Sequence, residues 1–298
     1  MKAKKIKKSP ELSIISGLPS GKKSGYLILH SENLDEEHSI LAIINENEIY
    51  GYPVPVQCTE IIIFDEYPVF LGEYGHIWSY NELNLDIKSI LEDVESPLRD
   101  ISYNGEGNVI VVGSLNQIFE SKDLINWNIS IGPTISKPTP FYGLEAVDSF
   151  PHEETYAVGW GGECLVKLNG TWTATDLSTN LDLYNVLCSP EHNVYICGDE
   201  GLLINGRLNQ WNFISNEVTS EKLWGLAYFK SRIFVSDMYN IYEVIDNHLA
   251  NIQYNKSDSP PPLTYKLMTY KDKILWSIGE KHLYIFDGYK WSCLLNLE

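Results

Sequence analysis

The sequence predicts an all-β chain folded as a single β-propeller of four-stranded blades. Three observations carry this. An apolar strand ending in a defined position recurs about every 40 residues. A second apolar pair follows it at one fixed offset, and a large apolar residue, most often Trp, follows at another. Aromatic residues make up 12% of the chain, with 19 Tyr, which favours pleated, half-buried surfaces.

The strand ends are Gly72, Gly113, Gly159, Gly198, Ser236 and Ile278, spaced by 41, 46, 39, 38 and 42 residues. Five and six residues on lie Ile77/Trp78, Ile118/Phe119, Cys164/Leu165, Leu203/Ile204, Ile241/Tyr242 and Leu283/Tyr284. Thirteen or fourteen residues on lie Leu85, Trp127, Trp172, Trp211, Leu249 and Trp291, which are predicted to occupy equivalent places on outermost strands. Upstream of each strand is a turn: Asp65–Pro68, Asn104–Gly107, Pro151–Glu154, Ser189–His192, Lys230–Arg232 and Lys271–Lys273. A further strand precedes each turn, so every unit has four strands, the pattern of a propeller blade. The length of 298 residues accommodates seven such units, with six left open. Ile40–Ile44, a turn at Asn45–Glu48 and Ile49-Tyr50 read as a degenerate unit, with strands from both chain ends expected to share one blade. Residues 1–24 read as a flexible basic segment and 25–298 as the propeller domain.

The charge is uneven. The chain holds 22 Lys+Arg against 40 Asp+Glu, a net charge of −18. Five lysines (Lys2, Lys4, Lys5, Lys7, Lys8) lie in the first eight residues, leaving −23 on the remainder. Such a body repels a phosphate backbone and attracts a basic partner, so nucleic acid is not the expected ligand. After the lysines, residues 9–17 hold no apolar run of signal-peptide length, and no stretch has the length of a membrane helix. Five cysteines (Cys58, Cys164, Cys188, Cys197, Cys293), odd in number and without C-x-x-C spacing, read as buried thiols of a cytoplasmic protein.

The repeated V-G-x-x-G … W pattern resembles the WD-repeat and BNR-like propellers of bacteria, including the photosystem II assembly-factor type. The resemblance spans roughly residues 56–298. It implies the fold. For function it implies several classes: scaffolds, assembly factors, carbohydrate enzymes and proteins that neutralise a toxin.

Specific chemistries were weighed against the residues. A sialidase of related repeat type needs three arginines converging on one carboxylate. The chain has only Arg99, Arg207 and Arg232, and the register puts the last two on the face opposite Arg99. The run Ser121–Trp127 is similar to a turn of furanosidase-type propellers but also fits an ordinary turn in which Ser and Asp bond backbone amides. Gly17-Leu-Pro-Ser-Gly21-Lys22-Lys23-Ser24 has three residues between its glycines where a phosphate loop has four, and reads as a flexible loop. The seven histidines show no metal-ligand spacing and no serine sits in a nucleophile elbow, so no catalytic set, cofactor or metal is expected.

The register brings the starts of innermost strands and the turns between second and third strands onto one face. The starts carry Arg99, Tyr142, Tyr184, Trp224 and Tyr265, read as one recurring position. The turns carry Glu73, Trp160, Asp199, Glu200, Asp237 and Glu280. Aromatic and arginine anchors rimmed by acids have the composition of a protein-binding centre, although recurrent aromatics also serve as packing between blades. The reading is a non-enzymatic, protein-binding propeller, most specifically an immunity protein that caps a basic bacterial toxin. A carbohydrate-active or carbohydrate-binding propeller and an assembly scaffold are the alternatives.

Overall fold

The computed structural model describes residues 3–31, 38–81, 84–105, 107–133, 142–255, 258–270 and 273–298. Its strands form seven antiparallel sheets. Blade 1 holds β1 (Lys4–Ile6), β2 (Leu12–Pro19), β3 (Ser24–Ser31), β4 (Ser39–Asn45) and β5 (Glu48–Val54). Blade 2 holds β6 (Cys58–Phe64), β7 (Tyr67–Gly72), β8 (His76–Asn81) and β9 (Asn84–Ile90), and blade 3 holds β10 (Leu98–Tyr103), β11 (Val109–Gly113), β12 (Gln117–Ser121) and β13 (Trp127–Ile131). Blade 4 holds β14 (Leu144–Ser149), β15 (Thr155–Gly159), β16 (Cys164–Leu168) and β17 (Thr171–Ala174). Blade 5 holds β18 (Leu183–Cys188), β19 (Val194–Gly198), β20 (Leu203–Arg207) and β21 (Gln210–Phe213). Blade 6 holds β22 (Gly225–Phe229), β23 (Arg232–Ser236), β24 (Ile241–Ile245) and β25 (His248–Asn251). Blade 7 holds β26 (Lys266–Tyr270), β27 (Ile274–Ile278), β28 (His282–Phe286) and β29 (Trp291–Asn296). The fold is therefore an all-β, seven-bladed propeller whose only described helical turns are 3-10 turns at Trp160–Gly162 and Asp199–Gly201.

The predicted register holds in detail. All six Trp or Leu positions fall on the fourth strand of their blades. They act as fasteners between neighbours. The Trp127 indole N–H donates to Ser89 Oγ of the preceding blade at 3.0 Å, and that of Trp172 donates to Glu120 Oε1 at 2.9 Å. The Trp211 ring meets Tyr156 of blade 4 edge-on at 6.0 Å. The recurrent glycine is equally explained. A Cβ on Gly113 would lie 2.6 Å from the Pro97 carbonyl oxygen, and Gly159 and Gly198 press on the carbonyls of Gly143 and Asp182 in the same way. Backbone approaches this closely only where no side chain intervenes.

Two expectations about the N-terminal region are corrected. The boundary expected at residue 24 falls inside blade 1, because Leu12–Pro19 is that blade's innermost strand. Its Leu12 and Ile14 are buried with Trp276, Ile278 and Leu295 of blade 7. Gly17–Pro19 belong to this strand and lead into the tight turn to β3, not a flexible loop. Nor do strands from the two chain ends share a blade: blade 1 is built wholly from residues 4–54 and blade 7 wholly from residues 266–296. Ile40–Ile44 and Ile49-Tyr50 are blade 1's own third and fourth strands, and β1 pairs with β5 on the outside. The ring closes by packing and by Ile14 N donating to the Glu280 carbonyl at 2.7 Å and Tyr265 Oη to the Ile14 carbonyl at 2.7 Å. The turn predicted at Lys271–Lys273 falls partly outside the described residues.

Polar side chains on innermost strands tie successive blades around the axis. Asp100 Oδ2 accepts from Val147 N and Asp148 Oδ2 from Cys188 N, each at 2.8 Å. Asn185 Nδ2 donates to the Trp224 carbonyl at 3.0 Å. Across the first and last blades, Glu60 accepts from Ser16 Oγ at 2.8 Å and pairs with Lys266. These groups line a central channel of about 830 Å³. Burial pushes the Asp100 carboxyl up to about 7 and that of Asp148 up to about 6, against the pull of their backbone donors.

A carboxyl raised above its unfolded value favours the fold at low pH. That contribution is present below about pH 4 and fades as pH rises through 6 to 7. The channel's solvent moderates it. Asp100→Asn keeps one of the two acceptor oxygens and removes the charge, so its stability relative to the parent should rise by about 1–2 kcal/mol between pH 5 and pH 8. Urea denaturation at the two pH values measures this; a difference that does not change with pH would contradict it.

Candidate functional site

The face in question carries the starts of the innermost strands and the turns between second and third strands, as the pairings Leu98 with Gly113 and Leu183 with Gly198 establish. The aromatic positions are not one recurring place. In blades 2 to 5 the innermost strand bulges at its start, and the extra residue in blades 3, 4 and 5 is Arg99, Glu145 and Tyr184. Blades 6 and 7 have no such bulge, and Trp224 and Tyr265 directly precede their strands. Tyr142 lies three residues before Glu145, so Glu145 holds the place expected of Tyr142. A bulge adds one unpaired residue to one strand, which shifts every equivalence drawn by counting.

The predicted residues therefore gather in separate clusters between blades. Between blades 3 and 4, Arg99 Nε lies 3.8 Å from Glu145 Oε1, and the Trp160 side chain hydrogen-bonds the same carboxylate. Burial raises Glu145 while Arg99 pulls it down. Between blades 7 and 1, Tyr265 is tied to Ile14, and exposed Glu280 accepts from Ser13 Oγ at 3.3 Å and lies 3.6 Å from Lys281 Nζ. Tyr265 thus serves the seam. Tyr142 is half-buried, and its carbonyl accepts from Leu115 N in the turn of blade 3 at 3.0 Å.

The third cluster, between blades 5 and 6, is the most open. The Tyr184 and Trp224 rings stack with centroids 4.3 Å apart and planes at 23°. Tyr184 Oη donates to Asp199 Oδ1 at 2.9 Å. Asp199 begins the 3-10 turn whose next residue, exposed Glu200, holds a left-handed φ of 54°, the place that Gly161 takes in blade 4. Lys222, which sequence reasoning missed, lies over this pair. Its Nζ is 3.0 Å from Asp199 Oδ1 and donates to Tyr184 Oη at 2.7 Å. A single lysine in a loop leaves no repeat signal, so only the folded chain brings it into view.

Asp237 is not a rim acid. It is fully buried, and its carboxylate accepts from the backbone N–H of Tyr239 and Asn240 and from Tyr242 Oη, each at 2.6 Å. It organises the turn of blade 6, where an Asp followed by a tight turn accepts successive amides. The exposed residues of that turn are Met238, Tyr239 and Asn240.

Arg207 pairs with Glu153 and Glu154, and Arg232 with Glu243, on the face opposite Arg99. Asp123 of the Ser121–Trp127 run accepts from Ile125 N and Asn126 N at 2.9 and 2.8 Å, which holds it well below the usual carboxylate range and makes the run an ordinary turn. Among the described residues, no group of three His, Cys, Asp or Glu side chains comes together to hold a metal, and no helix is long and apolar enough to cross a membrane. Of the cysteines, Cys58, Cys164 and Cys197 are buried, Cys188 is half-buried and Cys293 is exposed, and none is bridged.

Burial separates the two acids in stability. Asp237→Ala strands several buried donors and should cost about 2–4 kcal/mol. Asp199→Ala breaks a rim contact and should cost about 1 kcal/mol or less. Urea midpoints for the two variants decide; equal losses would show that Asp199 is also a structural acid.

No family model matches the chain. It is 26% identical over 311 aligned positions to the curated "Immune protein Tsi7" of Pseudomonas aeruginosa, covering 96% of this chain and 98% of that protein. Among solved structures, YCF48 bound to D1 peptide superposes with a TM-score of 0.67 at 14% identity, covering 94% of this chain and 93% of that one. The WD40 repeats of RRP9 superpose with a TM-score of 0.70 at 9% identity, covering 93% and 90%. By fold the chain is a seven-bladed β-propeller of the kind seen in YCF48 and in WD40-repeat proteins.

Proposed function

We propose that this chain is an immunity protein: a non-enzymatic, cytoplasmic propeller that neutralises a bacterial toxin by binding it. The end-to-end similarity to Immune protein Tsi7 carries this reading. The partner is a protein, and a basic one, because a body with a net charge of −18 attracts positive surfaces over several ångströms. The face described above supplies the contact. Its Tyr184–Trp224 stack is half-buried and pre-ordered, so binding sacrifices little side-chain freedom there. Asp199, Glu200 and Glu280 supply charge beside the aromatic and Arg99 positions.

The test is a search of the neighbouring genes for a toxin and co-production of the chain with it. The chain should restore growth and bind that protein directly. Exposed charge at the rim governs encounter, so association should slow as salt rises, and Glu200→Lys should slow it further. Trp224→Ala should act on dissociation, weakening the complex by about 2–4 kcal/mol. Surface plasmon resonance separates the two rates. Growth that stays arrested, or a complex untouched by Trp224→Ala, would reject the reading or the face respectively.

A further inference from the structure

The cluster between blades 5 and 6 is built like a receptor for a cation, and a residue of the chain itself already sits in it. Lys222 Nζ lies against one carboxylate and one phenol oxygen, beside two stacked aromatic rings. It lies 3.0 Å from Asp199 Oδ1, 2.7 Å from Tyr184 Oη, and 5.1 and 6.0 Å from the ring centroids of Tyr184 and Trp224. Each of these features attracts positive charge. The receptor is anchored independently of its occupant. Asp199 N donates to the Asp182 carbonyl at 2.9 Å, and Tyr184 lies on the innermost strand. Leu223, next to Lys222, is fully buried and its N–H donates to the Gly198 carbonyl at 3.0 Å. The Lys222 side chain itself is 53% exposed, on a flexible stem at the rim.

Ammonium is a poor match for this receptor. It is compact and strongly hydrated, and makes point contacts. A guanidinium is planar and weakly hydrated; it stacks on an aromatic face while its paired N–H groups engage a carboxylate. The two flat rings beside one aspartate fit that shape.

We infer that Tyr184, Trp224 and Asp199 form a subsite for an arginine side chain of a protein partner, and that Lys222 fills this subsite until that arginine displaces it. The inference rests on the partner being basic, as proposed above, and adds which group it presents and where. Lys222 is then an internal competitor. It neutralises Asp199 in the free protein and lowers the apparent affinity for the incoming group by the fraction of time it occupies the subsite.

The subsite is testable without any toxin. N-acetyl-arginine amide is titrated into the full chain while the Trp224 indole N–H resonance, assigned with Trp224→Phe, is followed by NMR. In Lys222→Met the probe should produce a saturable shift in the millimolar range, about fivefold tighter than in the parent chain. N-acetyl-lysine amide should bind more weakly, and the neutral isostere N-acetyl-citrulline amide should give no saturable shift. Adding Asp199→Asn to Lys222→Met should abolish binding, with unchanged thermal unfolding showing that both variants remain folded. An absent or non-saturating shift in Lys222→Met, a citrulline response equal to that of arginine, or indifference to Asp199→Asn would overturn the inference. Failure to bind a toxin would reject the immunity reading and leave this result standing.

Discussion

A propeller blade is apolar on both faces and cannot exist alone, so everything in this molecule depends on how one blade is held to the next. Two devices do it. Near the axis, Asp100 and Asp148 each reach across to a backbone amide of the following blade, and Asn185 reaches a carbonyl. Near the rim, the tryptophan that opens a fourth strand turns back onto the preceding blade. Between them lies the apolar packing that stabilises the ring, including the layer of Val158, Cys164, Leu183 and Ile196 between blades 4 and 5.

The hub device has an electrostatic cost. Carboxylates aimed into a channel lose part of their hydration, and Asp100 and Asp148 hold their protons more tightly for it. They persist because an aspartate carboxyl accepts an amide on its own strand and one on the neighbouring strand at once, as Asp100 does with Ile101 and Val147. At the junction with the last blade the solution differs: Lys266 faces Glu60, so an amine and a carboxylate bridge to the second blade across the innermost strand of the first, and burial pushes the Lys266 amine down to about 7.

The sequence disclosed what repeats and concealed what does not. Gly113, Gly159 and Gly198, with Trp127, Trp172 and Trp211, are dictated by contacts made once per blade, so their spacing betrayed the fold. Blade 1 lacks a tryptophan fastener on its fourth strand and runs through Gly17, Pro19 and Gly21, which disguised its innermost strand as part of a flexible segment. Bulges also left no trace, because an unpaired residue such as Glu145 looks like any other in the chain; that is why Tyr142 was aligned with Arg99 and Tyr184. Asp237 was misplaced for a related reason: turn composition does not reveal whether a carboxylate points outward or folds back on its own amides. Tyr184, Trp224 and Asp199 were legible as neighbours on one face, while Lys222 required the folded loop.

Fastening at hub and rim leaves some positions on the flat faces of the ring with little structural duty. The exposed side chain of Glu200 can be exchanged without disturbing the contacts that join blades, whereas Lys222 and Asp199 themselves join blades 5 and 6. Drift of that kind accumulates quickly in sequence and slowly in shape. A likeness of 26% that runs from one end of the chain to the other is what a ring held by a few contacts repeated in each blade permits.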